Sequence, residues 1–377
     1  MTKNSYICNF IKENADWLHL LEEKRISVRE EYTKNDNQFA EFATHFAIFN
    51  YEIGADFSDP IAKEARGIII DLKTLNVVCW PFTKFGNHFE GYTDDIDWNS
   101  ARVQEKIDGS IIKLWNDGEK WRFSTNKMIT PDEKFSIAIK KAAKDIDFSV
   151  LSPDNTYILE LVSPLTQVVI AYPETKFYHT GTRNNKTGQE FQEDIGLPKP
   201  KEFACKSLKE CVAMAGRLNK GKTVDEEGYV VVDKNYHRIK VKSPVYVQMH
   251  HLTEKGSKKQ YLELLRSGTD IETIIKQFPQ KEEIILFYKQ ELDKLISLIG
   301  HFHDYYLNLY KDLSCDRKKF ALTIKDNPMA FVGFSAINGQ STDEILLRVL
   351  NNKLYNMIPD YEFSDDYEQE AEEDMEL

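Results

Sequence analysis

The stretch Glu105-Lys106-Ile107-Asp108-Gly109-Ser110-Ile111-Ile112-Lys113-Leu114-Trp115 passes from a charged loop into an apolar, β-prone run. It reads as a lysine held at the entrance to a strand, with Asp-Gly supplying the bend. Asn116-Asp117-Gly118 then separates this run from Trp121-Arg122-Phe123-Ser124-Thr125, which is a hairpin signal. Upstream, Ala65–Asp71 and Leu75–Phe82 read as two more strands joined by a turn at Lys73-Thr74. Strands are also expected at Tyr157–Val162, Val168–Tyr172, Lys176–Thr180, Gly228–Val232 and Arg238–Lys242. Amphipathic spacing of Phe135, Ile139, Ala142 and Ile146 predicts a helix over 132–146, and a second helical stretch falls near Ser207–Leu218.

On either side of this β-rich centre the pattern changes. Residues 1–40 are polar and helix-prone, with an apolar rhythm around Phe10, Leu18, Leu20 and Leu21. After about 245 the β pattern stops, and 257–358 is helical in rhythm. It includes a long amphipathic run over 281–313, with Ile285, Tyr288, Leu292, Leu295, Ile299 and Phe302 on one face; a domain core accounts for that face. The expected fold is α+β: a domain of antiparallel sheets with flanking helices at 1–250, then an all-helical domain at 251–359. Residues 360–377 form an acidic tail whose composition predicts disorder and solvation.

The formal charge of −12 argues at first against a nucleic-acid partner. Ten of the acidic residues lie between Asp360 and Leu377, where there is no Lys or Arg, so the body of the chain sits near −2. A nearly neutral body can hold a basic cleft, and affinity for phosphates follows the local field. No apolar run approaches the roughly 20 residues that span a bilayer, and the N-terminus lacks an apolar core of signal-peptide length. The five cysteines share no metal-type spacing, a usage that fits a reducing cytoplasm. The histidines, His88, His179, His237, His250 and His251 among them, lack partners at metal-binding spacing.

The chemistry centres on Lys106. A neutral amine attacks phosphorus well, but free lysine titrates near about 10.4, so the group must be kept deprotonated by burial or by neighbouring cations. Gly109 lets backbone approach a ligand closely. Alone, Lys-x-Asp-Gly carries little, because Asp-Gly marks many turns. Its companions matter more. Glu160 lies inside an apolar strand, where a carboxylate is costly unless it pairs or binds something. Glu226-Glu227-Gly228 sets an acidic pair against a strand start, and period two brings Lys240 and Lys242 to one face of the next strand. A nucleophilic lysine, carboxylates for a divalent metal or a ribose, and two cations for a phosphate suit nucleotidyl transfer. Each residue also has a plainer reading: solvent-facing lysines at 240 and 242, a surface ion pair of Arg66 with Glu64 or Asp71, or an acidic turn at 226–227.

In order, Lys-x-Asp-Gly, Glu, Glu-Gly and Lys-x-Lys resemble motifs I, III, IV and V of the covalent nucleotidyltransferases, the superfamily of ligases and mRNA capping enzymes. More narrowly, the chain is similar to the phage RNA ligase 1 family over roughly 50 to 350. The likeness includes Arg66-Gly67, Lys84-Phe85-x-Asn87, Lys127 and the segment Asp316–Ala321. It implies an ATP-dependent RNA ligase in which Lys106 becomes adenylylated, AMP passes to a 5′-phosphate RNA end, and a 3′-hydroxyl completes the bond. A nucleotide site of Arg66, Lys84, Glu105, Lys106, Asp108, Gly109, Lys127, Glu160, Lys240 and Lys242 follows from the resemblance. Lys106, Lys240 and Lys242 would be catalytic; Glu160 and Glu227 would serve Mg2+ or Mn2+. Within this set Lys240 and Lys242 would grip the α-phosphate and depress the Lys106 pKa, and Arg66 and Lys84 would orient pyrophosphate. The chain departs from the family at Gly86, where a second phenylalanine is common, and around Lys127.

The implied partner is RNA with 5′-phosphate and 3′-hydroxyl ends, nicked tRNA included. End healing is expected to fall to a separate kinase or phosphatase. A monomer in the cytoplasm, or in the host cytoplasm if phage-encoded, is expected. The basic clusters Lys255–Lys259 and Arg317–Lys319 are either solvated faces or RNA backbone contacts. Two rivals stand beside this reading: a GTP-using guanylyltransferase of capping type, and a non-catalytic RNA-binding module. The helical pattern after 250, where capping enzymes append an OB-fold, argues against the first.

Overall fold

The structure, a computed structural model, describes residues 5–33, 44–219, 224–253, 257–266, 271–351 and 357–361. Most of the acidic tail and Lys255 lie outside the described residues. The chain divides into two compact units: Met1–Asn219 with Val224–Val247, and Gln248–Leu377 with Lys220–Thr223. Among the described residues no helix is long and apolar enough to cross a membrane, and all five cysteines are free thiols.

The first unit holds three antiparallel sheets. The N-terminal sheet has the order β1 (Ile26–Thr33), β2 (Thr44–Tyr51), β3 (Arg66–Asp71), β4 (Asn76–Cys79). β5 (Arg102–Glu105) belongs to a separate four-stranded sheet. In the five-stranded sheet, β6 (Ser110–Asn116) lies between β7 (Trp121–Thr125) and β8 (Asn155–Val162); β9 (Lys176–Asn184) and β10 (Glu190–Phe191) follow β8. The partners of β5 are β11 (Glu202–Phe203) and β12 (Gly228–Val232), with β13 (Arg238–Lys242) beyond β12.

Period-two alternation gives every sheet a helix-covered face. In the N-terminal sheet, Phe49, Ile68 and Ile70 pack with Ile7 and Leu21 of α1 (Tyr6–Glu13) and α2 (Trp17–Glu23), and with Ala62 of α3 (Pro60–Glu64). In the five-stranded sheet, Ile112, Leu114, Tyr157, Leu159 and Leu161 meet Ala138, Ile139 and Ala142 of α4 (Glu133–Ala142). Asp132 starts α4 by accepting from the Phe135 amide at 2.9 Å. In the third sheet, Tyr229, Val231, Ile239 and Val241 pack on Cys211 and Ala215 of α5 (Leu208–Ala215). The residues between these, Ile111, Lys113, Glu160, Val230, Lys240 and Lys242, necessarily take the other faces.

Two sequence expectations fail here, each for a physical reason. The helix-prone N-terminus gives way to strand β1 at Ile26, because Ile26 and Val28 find partners across the long β1–β2 register from Ile26↔Tyr51 to Thr33↔Thr44. A strand with one solvated edge needs few apolar residues, so Arg29, Glu30 and Glu31 hide it from a period count. The strand expected at Val168–Tyr172 does not form. The amides of Val169 and Ile170 donate instead to the Asp108 carboxylate, at 2.9 and 2.6 Å, and are lost to any ladder.

Helix α6 (Pro244–Thr253) carries the chain out of the first unit. The second unit comprises α7 (Lys258–Arg266), α8 (Ile271–Gln277), the 31-residue α9 (Glu282–Asp312), α10 (Arg317–Ile324), α11 (Ala330–Ile337) and α12 (Thr342–Asn351). Ile285, Tyr288, Leu292, Leu295 and Ile299 of α9 are buried in its core, as their spacing requires. Lys258, from the basic cluster, is occupied internally by Asp360 at 2.9 Å and the Ile358 carbonyl at 2.7 Å. Arg317 donates to Asn338 Oδ1 at 2.8 Å.

The start of β6 depends on Gly109. A Cβ there would lie 2.4 Å from the Leu161 carbonyl oxygen, a backbone atom fixed by the Ser110↔Leu161 register of β6 and β8. The close approach that Gly109 permits is therefore to the protein's own strand. Gly109→Ala is expected to lower stability by about 2–3 kcal/mol in urea unfolding, whereas Gly118→Ala, in an open turn, should cost about 1–2 kcal/mol, from its positive φ alone.

Candidate active site

Lys106 leaves β5 with its amide bonded to the Gly228 carbonyl at 2.9 Å, which aligns the loop with the start of β12. Its Nζ lies 2.7 Å from Glu227 Oε2, and the other oxygen of Glu227 is 2.9 Å from Lys242 Nζ. Glu227 is 3% exposed, so a single buried carboxylate holds two lysines. Lys242 also lies 5.3 Å from the Tyr246 ring centre. Glu226, the competing half of the acidic pair, takes no part in these two ion pairs.

The electrostatics correct one expectation. Burial pulls the Lys106 pKa down, but Glu227 and Glu160 outweigh it, and the net shift is upward. In the free protein Lys106 is an ammonium ion, not the depressed amine expected. The depressed amine is Lys240, brought to about 7 by burial and by Arg66, Lys106, Lys84 and Lys242. Glu160 moves up to about 7, chiefly through burial, which Lys106 opposes and Glu227 reinforces.

Asp108 turns inward. Besides the Val169 and Ile170 amides, its carboxylate accepts from the Tyr246 hydroxyl at 2.6 Å, and it is 3% exposed. It anchors the loop that carries Lys106 and does not line the pocket beside it. The Tyr246 hydroxyl is pushed to higher pKa by burial and by Glu227 and Asp108.

That pocket, about 110 Å3 in volume, is lined by Arg66, Phe85, Glu105, Lys106, Glu160 and Lys240, with Ile111, Val230 and Arg238 also in contact. Phe85 is its organising side chain: Arg66 lies 5.2 Å and Lys240 4.9 Å from its ring centre. The segment holding Phe85 runs beside β13 through Lys240 N–H to the Gly86 carbonyl and His88 N–H to the Lys240 carbonyl, both 2.9 Å. At Gly86 a side chain has no room, since Glu90, Thr93 and Tyr92 would stand within 3 Å of its Cβ. The missing second phenylalanine is thus a filled position.

Arg66 does not pair with Glu64, which accepts from Ser5 Oγ and the Ile7 amide at 2.7 and 2.9 Å. Lys84 lies 3.1 Å from the Tyr51 hydroxyl and within about 5 Å of the Tyr51 and Phe57 rings. Lys127 falls just past the end of β7, exposed. Lys84 and Lys127 share a second cavity, separate from the Lys106 pocket. The structure thus gathers Arg66, Glu105, Lys106, Glu160 and Lys240 around one pocket, joins Glu227 and Lys242 to them through ion pairs, and sets Lys84 and Lys127 apart.

Several participants escaped the sequence reading. Arg238 is 6% exposed, 2.7 Å from Glu190 and 4.0 Å from the Phe82 ring centre. Lys113 is wholly buried and donates to the Gly67 carbonyl, beside Arg66; burial and the Arg66 charge take its pKa to about 8. A lysine amid Ile-Ile and Leu-Trp was the available signal, the same one that exposed Glu160.

Among the described residues no group of three His, Cys, Asp or Glu side chains could hold a metal. Glu227 and Glu160 are the carboxylates that act most strongly on Lys106. Two carboxylates suit a hydrated Mg2+ completed by substrate phosphate oxygens, not a cation caged by protein.

Antiparallel sheets around a buried lysine, with paired carboxylates and a two-lysine strand, define the nucleotidyltransferase class of fold. Residues 64–246 match the family described as RNA ligase. Across those residues the chain is similar to the phage RNA ligase family. A protein of Autographa californica nuclear polyhedrosis virus, provisionally named a bifunctional polynucleotide kinase/RNA ligase, is 28% identical over 64% of this chain and 38% of its own length. A provisionally named RNA ligase of Thermovibrio ammonificans is 27% identical over 54% of this chain and 57% of its own. The chain therefore spans 38 to 57% of the length of these two relatives. An archaeal ATP-dependent RNA ligase structure aligns over 91% of this chain and 89% of its own, with 14% identity and a TM-score of 0.44.

The raised Glu160 pKa carries a stability consequence. The folded protein holds this proton more tightly than the unfolded chain, so its contribution is fully present below about pH 4.5 and is lost as pH rises through about 7. Comparing urea unfolding at pH 5 and pH 8, wild type is expected to lose about 2 kcal/mol relative to Glu160→Gln, allowing for the partial exposure of the group. Parallel pH profiles of the two proteins would contradict this.

Proposed function

We propose that this chain is an ATP-dependent RNA ligase acting through Lys106. The observation that carries the reading is the Lys106–Glu227–Lys242 ion triplet beside a pocket that also holds Glu160 and Lys240. In the first step Lys106 gives up its ammonium proton to solvent and the neutral Nζ attacks the α-phosphorus of ATP; an N–P bond forms, the bond to pyrophosphate breaks, and a second proton leaves the nitrogen for solvent. In the second, a 5′-phosphate oxygen of RNA displaces the lysine, leaving AMP joined to the RNA through a pyrophosphate. In the third, a 3′-hydroxyl attacks that 5′-phosphorus, AMP departs, and the hydroxyl proton goes to solvent or to a nearby base. In-line displacements of this kind depend mainly on positioning and charge.

The pocket of about 110 Å3 is smaller than the roughly 300–1,000 Å3 of typical ligand sites, so it takes only part of the nucleotide. Base and ribose enter it between Val230 and Ile111, with Glu105 and Glu160 at hand. Phosphates extend toward Lys240, Lys242 and Arg66, and outward to Lys84 and Lys127. Asp108 and Gly109 set the loop that aims Lys106. Glu160 and Glu227 would hold Mg2+ or Mn2+, whose charge would neutralise phosphate and compete with Lys106 for Glu227. Once Glu227 is drawn away, burial and the facing lysines favour the neutral amine. The pairing of a kinase with a ligase in the name of the Autographa californica nuclear polyhedrosis virus relative supports a role in rejoining broken RNA, tRNA included. The helical unit is the candidate for RNA selection, including through Arg317–Lys319.

Incubation with α-labelled ATP and a divalent metal, followed by denaturing gel electrophoresis, should put label on the protein. Lys106→Ala should abolish it, and Lys240→Met should reduce it at least 100-fold while leaving Tm unchanged or raised, since a disfavoured buried charge is removed. Label from GTP in preference to ATP would establish the capping-type alternative. No label from either, after treatment with pyrophosphate to strip any pre-formed adduct, would leave the RNA-binding module as the surviving reading.

A further inference from the structure

The cavity beyond the Lys106 pocket, about 660 Å3, carries more charge than Lys84 and Lys127 supply. Arg25, immediately before β1, and Arg29, on it, line the same cavity, and among the described residues Glu52 is the only acidic one in its wall. The neighbouring acids are satisfied elsewhere: Glu30 by His45 at 2.7 Å, Glu31 by Arg122 at 2.9 Å, and Asp59 by Lys24 at 2.7 Å. Among the described residues neither arginine is in an ion pair; both are exposed. Arg25 keeps its long side chain at φ 59°, a left-handed conformation that glycine would adopt more easily.

We propose that Arg25 and Arg29 bind the phosphodiester backbone of the RNA strand being joined, an inference that rests on the RNA ligase reading. The spacing favours a polymer over ATP phosphates. Four residues of extended chain separate the two backbones by about 13 Å, more than a diphosphate spans. The cavity is also graded. Lys84 lies half-buried at the inner end, against Tyr51, which contacts Arg66 as well. The two arginines occupy the open rim, where a strand can run past. Their contacts would fix the position of the RNA without reading its sequence, because guanidinium groups aimed at phosphate oxygens carry no base information.

The test uses the full chain with Arg25→Gln/Arg29→Gln and Arg25→Lys/Arg29→Lys double variants, circular dichroism first showing native folding. Two readouts separate phosphate sources. Self-adenylylation by α-labelled ATP should keep its rate and its KM for ATP within twofold in both variants. Binding of a fluorescent 5′-phosphorylated single-stranded RNA, read by anisotropy from 50 to 200 mM salt, should weaken at least tenfold in the Gln variant. Its log-log salt slope should flatten by about one unit or more. The Lys variant should restore most of the affinity, since backbone contact requires charge more than geometry. Wild-type RNA affinity in the Gln variant overturns the proposal. A raised KM for ATP with unchanged RNA binding also overturns it and assigns the arginines to the nucleotide. Failure of the ligase reading shows separately, as absence of label on wild-type Lys106.

Discussion

Glu227 is nearly inaccessible, and each of its oxygens is held by a lysine, Lys106 on one side and Lys242 on the other. A buried carboxylate with two cations is worth little as net stability, because desolvating all three groups offsets much of their attraction. Its effect is on geometry and protonation. Lys106 comes from the β5 loop, Glu227 from the residue before β12, and Lys242 from the end of β13, so the triplet joins three segments of one sheet at the cleft. While it is intact Lys106 is charged, and a charged amine is no nucleophile. On the proposed ligase reading the free protein rests in a protected state, and whatever engages Glu227 would also activate Lys106. Nucleophile release and metal binding would then be coupled through one carboxylate.

The Asp108 carboxylate supplies the complementary constraint. It accepts from the Val169 and Ile170 amides and the Tyr246 hydroxyl, joining the Lys106 loop to a segment after β8 and to the start of α6. Three donors to one buried anion satisfy it well and hold the loop from the side opposite the pocket. Lys106 is thus fixed behind by Asp108 and in front by Glu227. Only the front contact faces the cleft, so only that one can exchange when a ligand arrives.

Much of this was legible in the sequence because alternation is a strict rule. Once β8, β12 and β13 are recognised, burial of Leu159 and Leu161, Tyr229 and Val231, and Ile239 and Val241 forces Glu160, Val230, Lys240 and Lys242 to the opposite faces. The order of the charged residues along the chain could then be read as convergence in space. What escaped depends on partners distant in sequence. Strand β1 exists because β2 pairs with it, and its own residues, Arg29-Glu30-Glu31, give no β pattern. Val168–Tyr172 has the composition of a strand, but Asp108, some sixty residues earlier, takes its amides. The charge state of Lys106 is hidden from the sequence for a related reason: Lys240 and Lys242 look like its neighbours, whereas the nearest group is the Glu227 carboxylate, which lies between Lys106 and Lys242.

Lys113 extends the same physics into the core. Its strand faces the N-terminal sheet there, between the apolar cluster of Phe46, Ile69 and Trp115 and the Arg66-Gly67 corner. An ammonium ion with no solvent contact is expensive, and the shift of its pKa to about 8 measures that cost. An apolar residue of similar length would pack there more cheaply. Yet its Nζ meets the Gly67 carbonyl, and a Cβ on Gly67 would lie 2.8 Å from that Nζ and 2.5 Å from the Asn126 carbonyl oxygen. Lys113 therefore sits where the Arg66 and Lys127 segments touch. The two segments share one buried cation as their common support. Arg66, at the start of β3, and Lys127, just past the end of β7, are positioned from the same point.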